Sequence, residues 1–119
     1  MVDTIASATV TLHRGVPVVV VSGEVDAHTI ESIRDRVFGE LDRGPRGLVL
    51  DLTGVAFLGS DGLQLLVETM LRARRAGTPV VVVAGQRAVL HPLELTELDR
   101  VVTLRDSVDD AATAVLLAG

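Results

Sequence analysis

No cysteine occurs in these 119 residues. That excludes disulfide staples, thiolate catalysis and cysteine–metal sites, and it removes any sign of an oxidising compartment. Lysine is missing too: all 11 basic side chains are arginines, scattered along the chain. A P-loop needs its lysine, so nucleotide binding of that type is excluded although Gly54, Gly59 and Gly62 punctuate one segment. Tryptophan and tyrosine are absent and Phe38 and Phe57 are the only aromatics, so any core has to be aliphatic. The net charge of −5 opposes a phosphate backbone, and no nucleic-acid partner is expected. No apolar run reaches the roughly 20 residues that span a bilayer, and no basic region precedes a hydrophobic stretch near Asp3. A soluble cytoplasmic protein without direct membrane insertion is the expectation.

Apolar residues supply 48% of the chain, enough for a core without staples. Ala8, Val10 and Leu12 alternate with Thr9, Thr11 and His13, the period of a one-faced strand. Arg14 and Gly15 predict a tight turn into a second strand, Val16 to Ser22, with Pro17 near its start. Ile30, Ile33, Val37 and Leu41 follow helical spacing over about Ala27 to Asp42, stopped by Gly44 and Pro45. Gly47 to Leu52 leaves no polar face and reads as a buried strand. A second helix, about Asp61 to Ala76, is expected to bury Leu63, Leu66, Val67 and Met70, with Gly77 ending it. Val80 to Ala84 reads as a fourth strand. Arg87 to Leu95 looks helical, but Pro92 removes one backbone bond and predicts a broken or very short helix. Val101 to Leu104 is a short last strand and Val108 to Leu117 a terminal helix, with Asp109 and Asp110 favoured in its first turn. The order β-β-α-β-α-β-α-β-α implies an α/β fold with a mixed sheet, an N-terminal hairpin and then alternating strands and helices. No linker, repeat or low-complexity segment interrupts it, so residues 1–119 read as one domain.

The most informative stretch is Asp51 to Leu63. After the buried strand comes one hydroxyl, Ser60, flanked by Gly59 and Asp61. It is expected in a strand-to-helix loop, at the N-cap of the second helix, where backbone N–H groups point outward. Such a serine caps the helix or is an exposed handle that another enzyme modifies, and the two roles coexist. As a cap, Ser60→Ala should cost about 0.5–2 kcal/mol. Gly23-Glu24-Val25-Asp26 precedes the first helix, with Asp26 or Thr29 as its cap. If the second and third strands are neighbours, Glu24 and Asp26 form an acidic rim beside Ser60.

Enzyme chemistry finds little to stand on. His13, His28 and His91 have no metal-ligand spacing, so neither a metal nor another cofactor is expected. Gly59-Ser60-Asp61-Gly62 is not a nucleophile elbow, and no oxyanion loop is evident. The chain is therefore expected not to be an enzyme.

With these residues in view, the chain resembles a STAS domain, and in particular the stand-alone bacterial anti-sigma factor antagonists. Four pieces carry the resemblance in order. Gly23-Glu24-Val25-Asp26 matches the family's G-E-[LV]-D. Val49-Leu50-Asp51-Leu52 with Val55 matches its strand pattern. Phe57-Leu58-Gly59-Ser60-Asp61-Gly62-Leu63 matches F-[LM]-D-S-x-G-L, and Leu93-Glu94-Leu95-Thr96-Glu97-Leu98-Asp99 matches L-x-x-T-G-L-D. The resemblance implies a partner switch. The family's loop serine is phosphorylated by an anti-sigma factor that is also a serine kinase of the histidine-kinase-like ATPase fold. Only the unphosphorylated antagonist binds it and frees the sigma factor, and a serine phosphatase resets the system. Ser60 then takes the place of the phosphoacceptor. Glu24, Asp26, Gly59, Asp61, Gly62, Leu63 and Gln64 are the expected partner-binding residues. Two departures stand out. Gly59 and Asp61 move the family's carboxylate across the serine, and Glu97 stands where the family has glycine, so a differently built turn is expected there. The rival reading is a STAS scaffold without phosphorylation, or a subunit of a signalling or membrane-transport complex.

Overall fold

The protein is described by a computed structural model covering residues 6–118. Its elements are β1 (Ser7–His13), β2 (Val16–Val25), α1 (Ile30–Asp42), β3 (Leu48–Leu58), α2 (Ser60–Ala76), β4 (Val80–Val83), α3 (Arg87–Leu95), a 3₁₀ turn (Leu98–Arg100), β5 (Thr103–Arg105) and α4 (Val108–Leu117). The strands form one mixed sheet in the order β1-β2-β3-β4-β5. β1 is antiparallel to β2, while β2, β3, β4 and β5 are parallel neighbours. The expected element order and sheet type are therefore present, and α4 has the expected bounds.

The hairpin turn is built as the sequence implies. Arg14 and Gly15 both take positive φ, 54° and 79°, and His13 pairs with Val16 across them, the geometry that matches strand twist in a two-residue loop. Alternation along the strands divides the core in two. Val19, Val21, Leu48, Leu50, Val80 and Val82 face a cluster completed by α1, α2 and α3. Val16, Val18, Val49, Val81 and Val83 face Ala111, Ala112 and Val115 of α4. Leu12, on the face of β1 expected to be buried, is 73% exposed; it sits on an edge strand, at the hairpin end.

Four local expectations are corrected. β2 and β3 run on past Ser22 and Leu52 to Val25 and Leu58, so the presumed loop before Ser60 is strand and only Gly59 separates it from α2. This extension escapes a two-residue pattern because β3 carries two extra residues against β2. Val20 and Ser22 pair with Asp51 and Gly54, and Gly23 and Glu24 pair with Val55 and Phe57. With those bulges, burial falls on Leu52, Val55 and Leu58, and Thr53, Gly54, Ala56 and Phe57 are exposed. α2 buries Gly62, Leu65, Leu66, Thr69 and Ala73, a stripe rotated from the expected one, and leaves Val67 exposed. α3 is unbroken over 9 residues with Pro92 inside. It forfeits a single backbone bond there, while Val89 and Leu93 are fully buried beneath it. Glu97 adopts φ 60° and ψ 15° before the 3₁₀ turn, so the left-handed conformation a glycine favours is present without one.

Candidate functional site

β2 and β3 are adjacent and parallel, so their C-terminal ends open on the same edge of the sheet. Val25 pairs with Leu58, and the Gly59 N–H donates to the Val25 carbonyl at 2.9 Å. The adjacency on which an acidic rim depended is therefore present: Glu24 and Asp26 bracket the β2 residue that holds Gly59. Both are half-buried, and Ser60 is exposed.

Ser60 is not the helix cap. Gly59 is, with φ −86° and ψ −176°, and its carbonyl accepts from the Leu63 N–H at 3.1 Å. Because β3 reaches Leu58, the helix begins one residue earlier than a loop would allow, and Ser60 becomes its first helical residue. Among the described residues its hydroxyl has no hydrogen-bond partner, in contrast to Ser107, which accepts from the Asp110 N–H and caps α4. The Ser60 hydroxyl is thus displayed rather than employed.

Close approach explains the flanking glycines. A Cβ on Gly62 would meet Leu58 Cδ1 at 2.5 Å and Val25 Cγ1 at 2.9 Å, so the first turn of α2 rests directly on the ends of both strands. Gly62 is buried and shapes the site from beneath. A Cβ on Gly59 would stand 3.0 Å from Phe57 Cε2 and 3.3 Å from the Val25 carbonyl oxygen. Gln64 is exposed, while Asp61 and Leu63 are half-buried. Phe57, 50% exposed beside Gly59, lies on this surface, where reading by alternation does not place it. The three-residue spacing of Leu52, Val55 and Leu58 was the available signal, because it turns Phe57 outward.

The acidic side has a structural task as well. Asp26 Oδ1 accepts from the His28 N–H at 2.9 Å and the Thr29 N–H at 3.2 Å, and Thr29 Oγ1 donates to the Glu24 carbonyl at 2.8 Å. Thr29 is the cap residue of α1, without a side-chain cap bond of its own. Asp26 thereby joins the end of β2 to the start of α1, on the same edge of the sheet as Ser60. None of the ion pairs among the described residues involves Glu24, Asp26 or Asp61. No group of three or more His, Asp or Glu side chains among the described residues is placed to hold a metal. Among the described residues, the one resolved pKa shift lies at the other end of the sheet. There the Asp109 carboxyl is held below the usual carboxylate range by a hydrogen bond from His13 and by Arg14, against a smaller opposing effect of burial. Chemically, no base among the described residues is bonded to Ser60, and its hydroxyl is open to solvent. The first backbone N–H groups of α2 would favour an anion attached there.

The family model of the STAS domain matches residues 7–111. The chain is 34% identical over 111 residues to an anti-sigma-F factor antagonist, RsfB, of Mycobacterium tuberculosis, covering 92% of this chain and 88% of that one. It is 28% identical over 102 residues to an anti-sigma F factor antagonist of Paenibacillus polymyxa, covering 85% and 87%. The crystal structure of an anti-sigma factor antagonist from Mycobacterium paratuberculosis superposes with a TM-score of 0.89 at 38% identity, covering 96% of this chain and 97% of that one.

Proposed function

Because this chain belongs to the STAS domain family, we propose that it is an anti-sigma factor antagonist whose docking to its partner is governed by phosphorylation of Ser60. The partner is an anti-sigma factor that doubles as a serine kinase of the histidine-kinase-like ATPase fold. The unmodified antagonist binds it and releases a sigma factor, and a serine phosphatase restores that state. The whole chain acts as one binding unit, not as an enzyme, and in the cytoplasm, where sigma factors meet RNA polymerase. Glu24, Asp26, Gly59, Asp61, Leu63 and Gln64 form the surface offered to the partner, with Gly62 supporting it from below.

The observation that carries this reading is the exposed, unbonded Ser60 hydroxyl at the start of α2. Phosphorylation adds about −1.5 to −2 charges at neutral pH. Repulsion from nearby carboxylates, chiefly Asp61, is on the order of 1–3 kcal/mol at high effective dielectric. The helix N-terminus offsets about 0.3–1 kcal/mol of it, so the fold tolerates the group. At an interface the same phosphate must shed water against whatever faces it, at a cost of several kcal/mol without a matching cation. A loss of about 3–5 kcal/mol is a factor of roughly 10²–10⁴ in affinity. The charge acts on association and spares the fold.

Incubation with the cognate kinase and ATP, followed by phosphosite mapping, tests the proposal, and phosphate on Ser60 alone is expected. Ser60→Ala should retain the kinase in a pull-down at all times and Ser60→Asp should lose it. Equal retention by both, or phosphate only elsewhere on a competent pair, refutes the switch. Retention of a transporter or receptor in place of an ATPase-fold kinase would favour the scaffold reading.

A further inference from the structure

Gln86 occupies an unusual position between β4 and α3. It is the cap residue of α3, yet its side chain caps nothing; its backbone carbonyl alone receives the Val89 and Leu90 N–H groups, at 3.1 and 3.0 Å. The side chain turns instead to β3. Its Nε2 donates to the carbonyls of Leu52 at 2.7 Å, Val55 at 2.9 Å and Thr53 at 3.2 Å, while Oε1 accepts from the Gly85 N–H at 3.2 Å. Three converging carbonyls require a donor at that atom and leave the amide one orientation.

The reason for this arrangement lies in the sheet. β4 pairs with β3 only from Leu48 to Asp51 and stops at Val83, whereas β3 continues to Leu58 with β2 on one side alone. Past Asp51 the β4-side carbonyls of β3 have lost their ladder. The first bulge falls at that point, between Asp51 and Gly54, and the second between Val55 and Phe57. Each bulge changes the pairing count, so a misplaced bulge would slip the strand by one residue and send every later side chain to the other face. Gln86 grips β3 from the first bulge to the residue before the second. Its own backbone is anchored by α3, whose Val89 and Leu93 are fully buried.

We propose that Gln86 is the positioning residue of the Ser60 turn: its amide stands in for the missing strand, sets the register of β3 between its bulges, and so decides where Gly59 and Ser60 emerge. The consequence for phosphorylation rests on the reading of Ser60 as the phosphoacceptor; the consequence for strand order does not.

Three substitutions of similar length separate donation from bulk. Gln86→Leu keeps volume without a donor, Gln86→Glu presents an acceptor to three carbonyls, and Gln86→Lys keeps a donor. Amide hydrogen exchange over residues 54–59 is measured with Val80–Val83 as internal reference. The kcat/KM for phosphorylation of Ser60 by the cognate kinase is measured alongside. Loss of the bonds should speed exchange at 54–59 roughly tenfold or more in the Leu and Glu variants, with the β4 amides unchanged. The kcat/KM should fall by a similar factor, and the Lys variant should regain part of both. In the unmodified protein the Gln86 side-chain amide protons should exchange slowly, which tests the grip even if a variant fails to fold. Unchanged exchange at 54–59, a Lys variant as poor as Leu, or freely exchanging Gln86 amide protons would each overturn the proposal. So would faster exchange with an unaltered phosphorylation rate. Should no kinase modify the unmodified protein, the reading of Ser60 fails by itself, and the exchange ranking still decides the role of Gln86.

Discussion

The two ends of the β2–β3 unit are held by different forces. At the hairpin end, exposed charges tie the turn to α4: His13 Nε2 and Arg14 Nη1 reach Asp109 Oδ1 at 2.9 and 3.2 Å, and Arg14 donates to Thr113 Oγ1 at 2.7 Å. At the Ser60 end, the described contacts are neutral or backbone-directed: the Gly59–Val25 bond, the packing of Gly62 on Leu58 and Val25, the Gln86 amide on three carbonyls, and Asp26 on two N–H groups. The difference teaches how a fold can accept a new charge. A phosphate on Ser60 meets no ion pair that it must break and no neighbouring cation bound to Glu24, Asp26 or Asp61 that it could recruit. On the proposed reading it would disturb little within the chain and remain available to repel a partner. Exposed ion pairs are individually weak and salt-sensitive, which suits a turn that has no such task.

The contrast can be broken or sharpened by four measurements. The largest effect is expected in the core beneath the regular part of β3. Leu48→Ala, at a fully buried position, should cost about 2–5 kcal/mol in urea unfolding while the remaining folded molecules bind the kinase normally. Gly62→Ala should cost about 1–3 kcal/mol, because its Cβ would lie 2.5 Å from Leu58 Cδ1. Here the site is also displaced, so kinase affinity should fall together with stability; an unaltered affinity would show that the seating of α2 does not shape the docking surface. Ser60→Ala should change the unfolding free energy by no more than a few tenths of a kcal/mol, since the residue it replaces is not the cap and surface changes of this kind are small. A loss near 1 kcal/mol, typical of a removed cap, would mean that the hydroxyl is employed after all. The smallest effect belongs to the hairpin. With the Asp109 pKa depressed, its stabilisation is present above the ordinary aspartate range and is lost as pH falls through the lowered value. Titrating the Asp109 carboxyl by NMR should give a midpoint below that range, restored to it by His13→Ala with Arg14→Ala, while the amide shifts of Gly59 and Ser60 stay unmoved.

Much of the molecule was legible along the chain. Apolar spacing located α1 and α2, the Arg14-Gly15 turn announced the hairpin, and Asp109 and Asp110 marked the start of α4. These signals are local, so they survive folding unchanged. The buried stripe of α2 was not legible, because Leu63, Leu65, Leu66, Val67, Met70 and Leu71 form an apolar arc wider than the face that docks. Only the seating of Gly62 on the strand ends selects Leu65, Leu66 and Thr69 from it. The helix containing Pro92 survives for a related reason: burial of Val89 and Leu93 outweighs one missing backbone bond.

The sequence by itself determined the kind of protein: an aliphatic α/β chain without the cysteine for thiol chemistry or the lysine of a P-loop, and with one serine between a buried strand and a helix. The tertiary structure alone decided how that serine is placed. Whether Ser60 caps the helix or stands free depends on where β3 ends, and that depends on two bulges against β2 and on an amide 26 positions further along, at Gln86. Such long-range contacts leave no periodic trace in the chain, because they join residues whose spacing is set by the paths of the strands and not by any local repeat.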